Sequence, residues 1–87
     1  MPRVASFDLP GIDCRFYSND HAPPHFHAKR KGAWECRVFF LLSRDRMLEL
    51  KWGSSVDSKD RKALLDSAEG HREALMQEWI EKVQSDD

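Results

Sequence analysis

The chain of 87 residues lacks most of the features that announce a function. Its two cysteines, Cys14 and Cys36, are too few for a disulfide framework and lack the second pair of a four-cysteine zinc site. Reduced thiols are expected. Net charge is also missing: fourteen Lys+Arg against fifteen Asp+Glu leave −1, so the chain as a whole carries no basic footprint of a nucleic-acid binder. Apolar residues are too interrupted by charge for a membrane span, and the N-terminal MPRVASFDLPG has no signal-peptide run, twin arginine or lipidation box. A cytoplasmic protein without a membrane partner is expected. Internal repeats, low-complexity tracts and a complete catalytic motif are absent too.

What is there is an ordinary globular composition, 40% hydrophobic and 33% charged. Its length leaves room for one domain, residues 1–87, burying roughly 60–65% of the unfolded surface. The neutral total conceals an asymmetry. Residues 1–56 hold nine basic and six acidic side chains, whereas residues 57–87 hold five and nine. The front is mildly basic and the back acidic.

Hydrophobic periodicity divides the chain at about the same place. Residues 12–18 alternate, with Ile12, Cys14 and Phe16 on one face, as in a half-buried strand. Asn19 to Pro24 form a stiff polar connection, since each proline fixes its own φ and Pro24 holds Pro23 extended. Residues 25–30 and 33–42 are the next strands. A three-residue loop Arg30-Lys31-Gly32 pairs Ala28 with Trp34 and Phe26 with Cys36, placing His27 and Glu35 on the opposite face. A loop Ser43-Arg44-Asp45 then pairs Phe40 with Leu48, Val38 with Leu50 and Cys36 with Trp52. Trp34, Cys36, Val38, Phe40 and Leu42 are expected inside, and Trp34, Trp52 and Trp79 are expected in the core. Residues 3–7 add a short leading strand.

From Asp57 or Ser58, a natural N-cap, the period becomes helical, with Leu64, Leu65, Ala68, Leu75, Met76, Trp79, Ile80 and Val83 in one stripe. An unbroken helix over 58–84 would be roughly 40 Å long, and Gly70 is the point where it bends or breaks. The expected class is α+β: an antiparallel meander of three to five strands over about 3–52, with a kinked C-terminal helix or two successive helices packed on one face.

Three histidines, His21, His25 and His27, lie beside Asp20. His25 and His27 share the face away from the helix and are expected to be exposed. With Arg15, Tyr17, Lys29, Glu35 and Arg37 they form a polar, mostly basic candidate surface. His21, His25 and His27 could ligate a divalent metal such as zinc, with Glu35 as an alternative third ligand and one position left open. The same surface could cleave RNA, with a histidine as acid or base and Arg15, Arg37 or Lys29 beside the phosphate. It could instead bind a partner, or the histidines could be plain solvent-facing residues with His27 and Glu35 weakly paired. Cys14 and Cys36 point inward about 10 Å apart as core residues, and His71 is expected to be packed and hydrogen-bonded.

The opening Met-Pro, the block Tyr17-Ser18-Asn19-Asp20-His21-Ala22-Pro23-Pro24-His25-Phe26-His27, and the late segment from His71 to Trp79 resemble the small bacterial domain-of-unknown-function-4160 family. Ser67 stands where that family usually has a tryptophan four residues before the helical histidine. The resemblance implies a small cytoplasmic α+β domain, encoded beside another small protein in a toxin–antitoxin-like pair. It transfers no catalytic role. The leading expectation is therefore a non-enzymatic interaction module for a small partner protein, ahead of nucleic acid. The alternative is a metal-binding or RNA-cleaving protein using His25 and His27.

Overall fold

The computed structural model describes residues 2–17 and 20–84; Met1 of the opening Met-Pro, and Ser18 and Asn19 of the family block, Ser18 also in the expected strand 12–18, lie outside them. Four strands, β1 (Asp13–Arg15), β2 (Phe26–Arg30), β3 (Trp34–Val38) and β4 (Leu48–Gly53), form one antiparallel sheet in chain order. Two helices follow, α1 (Ser58–Gly70) and α2 (Arg72–Trp79), and the chain continues into a π-helical turn, Ile80–Gln84. The class is α+β, with the helical segment resolved into two successive helices.

The alternating pattern does what it implied on the inner face. Ile12, Cys14, Phe16, Phe26, Ala28, Trp34, Cys36 and Val38 are buried, against Leu64, Leu65, Ala68, Leu75, Trp79 and Val83 of the helical segment, with Met76 partly buried beside them. Ile80, expected in the same stripe, is 41% exposed: it opens the π-helical turn, where the 3.6-residue period no longer holds. Cys14 and Cys36 are free and buried, and desolvation pushes both thiols up to about 12. They are inert packing groups.

Register departs from expectation by an even step. Ala28 pairs with Cys36 and Phe26 with Val38, two residues further than expected, so every side chain keeps its face. The reason lies in the turn. Ala33 N–H donates to the Arg30 carbonyl (2.9 Å), and Gly32, with φ 79°, occupies the third position of that four-residue turn, which requires positive φ.

The next hairpin differs more. β3 ends at Val38 rather than Leu42, because the Arg72 guanidinium takes the carbonyls of Phe40 (2.8 Å) and Leu42 (2.9 Å). Phe40 remains in the core, but Leu42 is 38% exposed. Val38 pairs with Leu48 and Cys36 with Leu50, while Glu35 pairs with Trp52 across an irregularity between Glu35 and Cys36. Lys51 is the extra residue of this bulge. The bulge sends Trp52 to the outer face, where its Nε1–H donates to Glu35 (3.2 Å), so the expected core tryptophan is 43% exposed. The leading strand shrinks to an Arg3–Arg15 bridge, flanked by bonds from Val4 N–H to the Cys14 carbonyl and from Phe16 N–H to the Pro2 carbonyl.

Gly53 is fixed by contact as well as by conformation. Its φ is 97°, and a Cβ there would stand 2.5 Å from the Ala33 carbonyl oxygen and 2.9 Å from Trp34 Cα. Gly53→Ala should cost about 2 kcal/mol or more, read as a lower urea midpoint, since left-handed strain and a backbone clash act together.

At the helical end, Asp57 caps α1 by accepting the Asp60 N–H (2.8 Å). Asp60 receives Arg30 in two hydrogen bonds of 2.7 and 2.8 Å, tying the end of β2 to the first turn of α1. His71 separates the helices with φ −127°, donating Nδ1–H to the Ser67 carbonyl (2.7 Å) and packing on Phe7, as a structural histidine should.

Candidate metal centre

The connection from β1 to β2 carries Asp20 back over the start of β2, with Pro23 following a cis Ala22–Pro23 bond. This brings Asp20, His25 and His27 together: one ligand atom from each lies within 4.8 Å of the others. His27 Nε2 stands 2.9 Å and His25 Nε2 3.4 Å from the same oxygen, Asp20 Oδ2. A tetrahedral ion with bonds of about 2.0–2.2 Å places its donors roughly 3.3–3.6 Å apart; the His25 spacing falls in that range, and the His27 spacing, that of a direct hydrogen bond, is shorter.

Burial is where expectation fails. His25 is 5% and His27 4% exposed, so neither is on an open face. The two histidines do sit side by side, their rings 5.1 Å apart, but His25 is not turned away from the helical segment, and alternation says nothing of what lies over a face. The Tyr17 ring sits 4.1 Å from His27, and Phe39 (5.0 Å) and Trp79 (5.6 Å) flank His25. His25 precedes β2 and lies at the end of the sheet, within reach of α2. A depression of about 300 Å³, lined by Asp20, His21, Pro23, His25, Arg37 and Phe39 among others, opens from the site.

Hydrogen bonding fixes the rings. A carbonyl only accepts, so His25 Nδ1 carries the proton it gives to the Pro23 oxygen (2.8 Å), which leaves Nε2 with a bare lone pair when the ring is neutral. That nitrogen faces Asp20 Oδ2 and has no hydrogen-bond partner among the described residues. His27 Nε2–H donates to Asp20, leaving Nδ1, 3.9 Å from Glu35 Oε2, without a hydrogen-bond partner among the described residues. Burial lowers the His27 pKa and so favours the neutral ring, while the Asp20 carboxylate opposes it in part.

The remaining candidates fall around this group. His21, expected as a ligand, is exposed and outside it, and Asp20 takes its place. Arg15 bonds Asp13 (2.9 Å) and Arg37 bonds Glu49 (2.5 Å), so both guanidinium groups have carboxylate partners. Lys29 is exposed opposite Glu35. Glu35 stands between His27, Trp52 and Lys51, placed to accept Nδ1–H if the His27 proton moves to that nitrogen. Reasoning from sequence passed over Glu78, which gathers the N–H groups of Ala5 and Ser6 (2.8 Å each), the Ser6 hydroxyl and Lys82 (2.5 Å). Its sequence signal is a carboxylate beside the apolar stripe, four residues before a lysine.

One carboxylate and two imidazoles converging on a point form a donor set for a divalent ion of the zinc or iron class, with coordination positions left over. No described helix is long and apolar enough to cross a membrane. No curated protein and no solved structure matches the chain significantly. Residues 11–80, which contain β1 to β4, the Asp20–His25–His27 group and both helices, match the family described as Domain of unknown function (DUF4160), and the chain belongs to that family.

Proposed function

We propose that this chain is a metal-binding domain in which Asp20 Oδ2, His25 Nε2 and His27 Nε2 hold a divalent ion, zinc being the first choice for two imidazoles and a carboxylate. One observation carries the reading. A buried histidine, locked by the Pro23 carbonyl, aims a bare nitrogen at a carboxylate oxygen 3.4 Å away. Two lone-pair donors facing each other in a buried site are stabilised by a cation between them. The remaining positions lie toward the depression beside Arg37, where a bound water or small ligand would be polarised by the ion. RNA cleavage is supported less, because the histidines are buried and Arg15 and Arg37 are engaged by carboxylates.

Ring NMR of the histidines tests it. On adding zinc, His27 is expected to move its proton from Nε2 to Nδ1, toward Glu35, while His25 keeps Nδ1–H. A His27 ring that stays protonated on Nε2 at saturating zinc rules out the site.

A second reading, an interaction module for a small protein partner in a toxin–antitoxin-like pair, is supported by a different place. Leu50 and Trp52, on β4, which has a neighbouring strand on one side only among the described residues, are 42% and 43% exposed.

A further inference from the structure

β4 closes the sheet on one side with no strand beyond it among the described residues. Its solvent side is guarded in the ways edge strands usually are: Lys51 lies in the strand, and the bulge at that residue interrupts the ladder. Both features discourage an arbitrary strand. They do not discourage a strand that presents a carboxylate to Lys51.

We infer that β4 pairs antiparallel with β4 of a second copy of this chain, about a two-fold axis at Leu50. This rests on the interaction reading and names its partner. The segment Leu48-Glu49-Leu50-Lys51-Trp52 is complementary to itself when reversed. Leu50 meets Leu50 of the second copy, and Glu49 meets Lys51 of the second copy twice, once on each side of the axis.

The charges already on the outer face extend this pattern. Arg37 on β3 bonds Glu49 on β4 (2.5 Å), and Lys51 lies 3.9 Å from Glu35 on β3. Across the paired edges the row then reads Arg37, Glu49, Lys51 and Glu35, positive and negative in turn, with the last two from the second copy. The Glu49 side chain is 55% and the Lys51 side chain 37% exposed, so both can reach across. Pairing also covers Leu50, which the helices leave exposed.

Sedimentation velocity reads the result. The wild-type chain is expected to form a dimer with a dissociation constant on the order of micromolar, as suits a small edge contact. Glu49→Lys and Lys51→Glu should each weaken it at least about tenfold by placing like charges opposite one another, and the double variant Glu49→Lys/Lys51→Glu should recover part of that loss, since the pairs across the axis attract again although positions 49 and 51 then face like charges, Arg37 and Glu35, within their own copy. Circular dichroism of the single variants separates loss of pairing from loss of fold. A wild type that stays monomeric at about 100 μM overturns self-pairing while leaving β4 open to a different chain. A dimer indifferent to all three variants places the contact elsewhere and overturns both.

Discussion

Zinc at a hundredfold excess over its dissociation constant should raise the melting temperature of the untagged chain by about 10–20 °C. The basis is linkage: an ion that binds only the folded state adds about 2.7 kcal/mol at that excess, and a domain of this size gains roughly 4–8 °C per kcal/mol. The folded state is the one that brings Asp20, His25 and His27 within 4.8 Å, whereas the unfolded chain offers separate histidines of much lower affinity. Magnesium should have little effect, because it prefers oxygen ligands in an octahedral shell and this site supplies two nitrogens. A scanning-calorimetry series with zinc, magnesium and a chelator, run on the wild type and on His25→Ala/His27→Ala, measures the difference. An equal shift in the double variant would assign the stabilisation to some other site.

Glu78→Ala should cost about 3 kcal/mol, the scale on which a buried, hydrogen-bonded charge is missed when one partner is removed. Glu78 is 7% exposed and holds residues 5–6 against α2, so its loss takes the acceptor from two backbone N–H groups and the Ser6 hydroxyl and leaves the Lys82 ammonium with the Arg3 carbonyl. Glu78→Gln, which keeps the shape and removes the charge, should cost less. Burial alone would push the Glu78 carboxyl up, but the bonds from Lys82, Ser6 and the two N–H groups outweigh it and hold the pKa below the usual carboxylate value. A carboxylate depressed in the folded state stabilises fully above its unfolded pKa of about 4.3 and loses that contribution as pH falls through the folded value. The gap in urea midpoint between wild type and Glu78→Gln should therefore be wide at pH 7 and narrow well below about pH 4. A gap that does not narrow on acidification would show that the charge is not what stabilises.

Much of the architecture was legible because it depends on period alone. Alternation at Ile12, Cys14 and Phe16, the helical stripe from Leu64 to Trp79 and the Asp57 cap are local features, and each lies where its pattern implied; Ile80 leaves the stripe where the helix turns π. Register was less legible. Shifting the β2–β3 pairing by two residues leaves every side chain on its face, so hydrophobic pattern cannot choose between the registers, and the Gly32 turn decides. The Trp52 position was illegible for a sharper reason. One bulged residue inverts the face of everything beyond it, and Lys51 carries no local signal of a bulge.

The candidate site divides in the same way. Two-residue spacing put His25 and His27 on one face, but their burial comes from Tyr17, Phe39 and Trp79, brought in by tertiary structure. Asp20 and His21 are neighbours in sequence, and the path of the connection determines which one turns inward. Arg30 with Asp60 and Glu78 with residues 5–6 are likewise partners thirty or more positions apart, which no windowed reading can join.

Isothermal titration of chelator-treated, untagged protein with zinc at neutral pH tests the metal centre most directly. One ion per chain is the predicted stoichiometry, and binding should disappear from an Asp20→Ala/His25→Ala/His27→Ala variant whose far-ultraviolet spectrum is unchanged. No uptake by the wild type, or equal uptake by the folded triple variant, would contradict it.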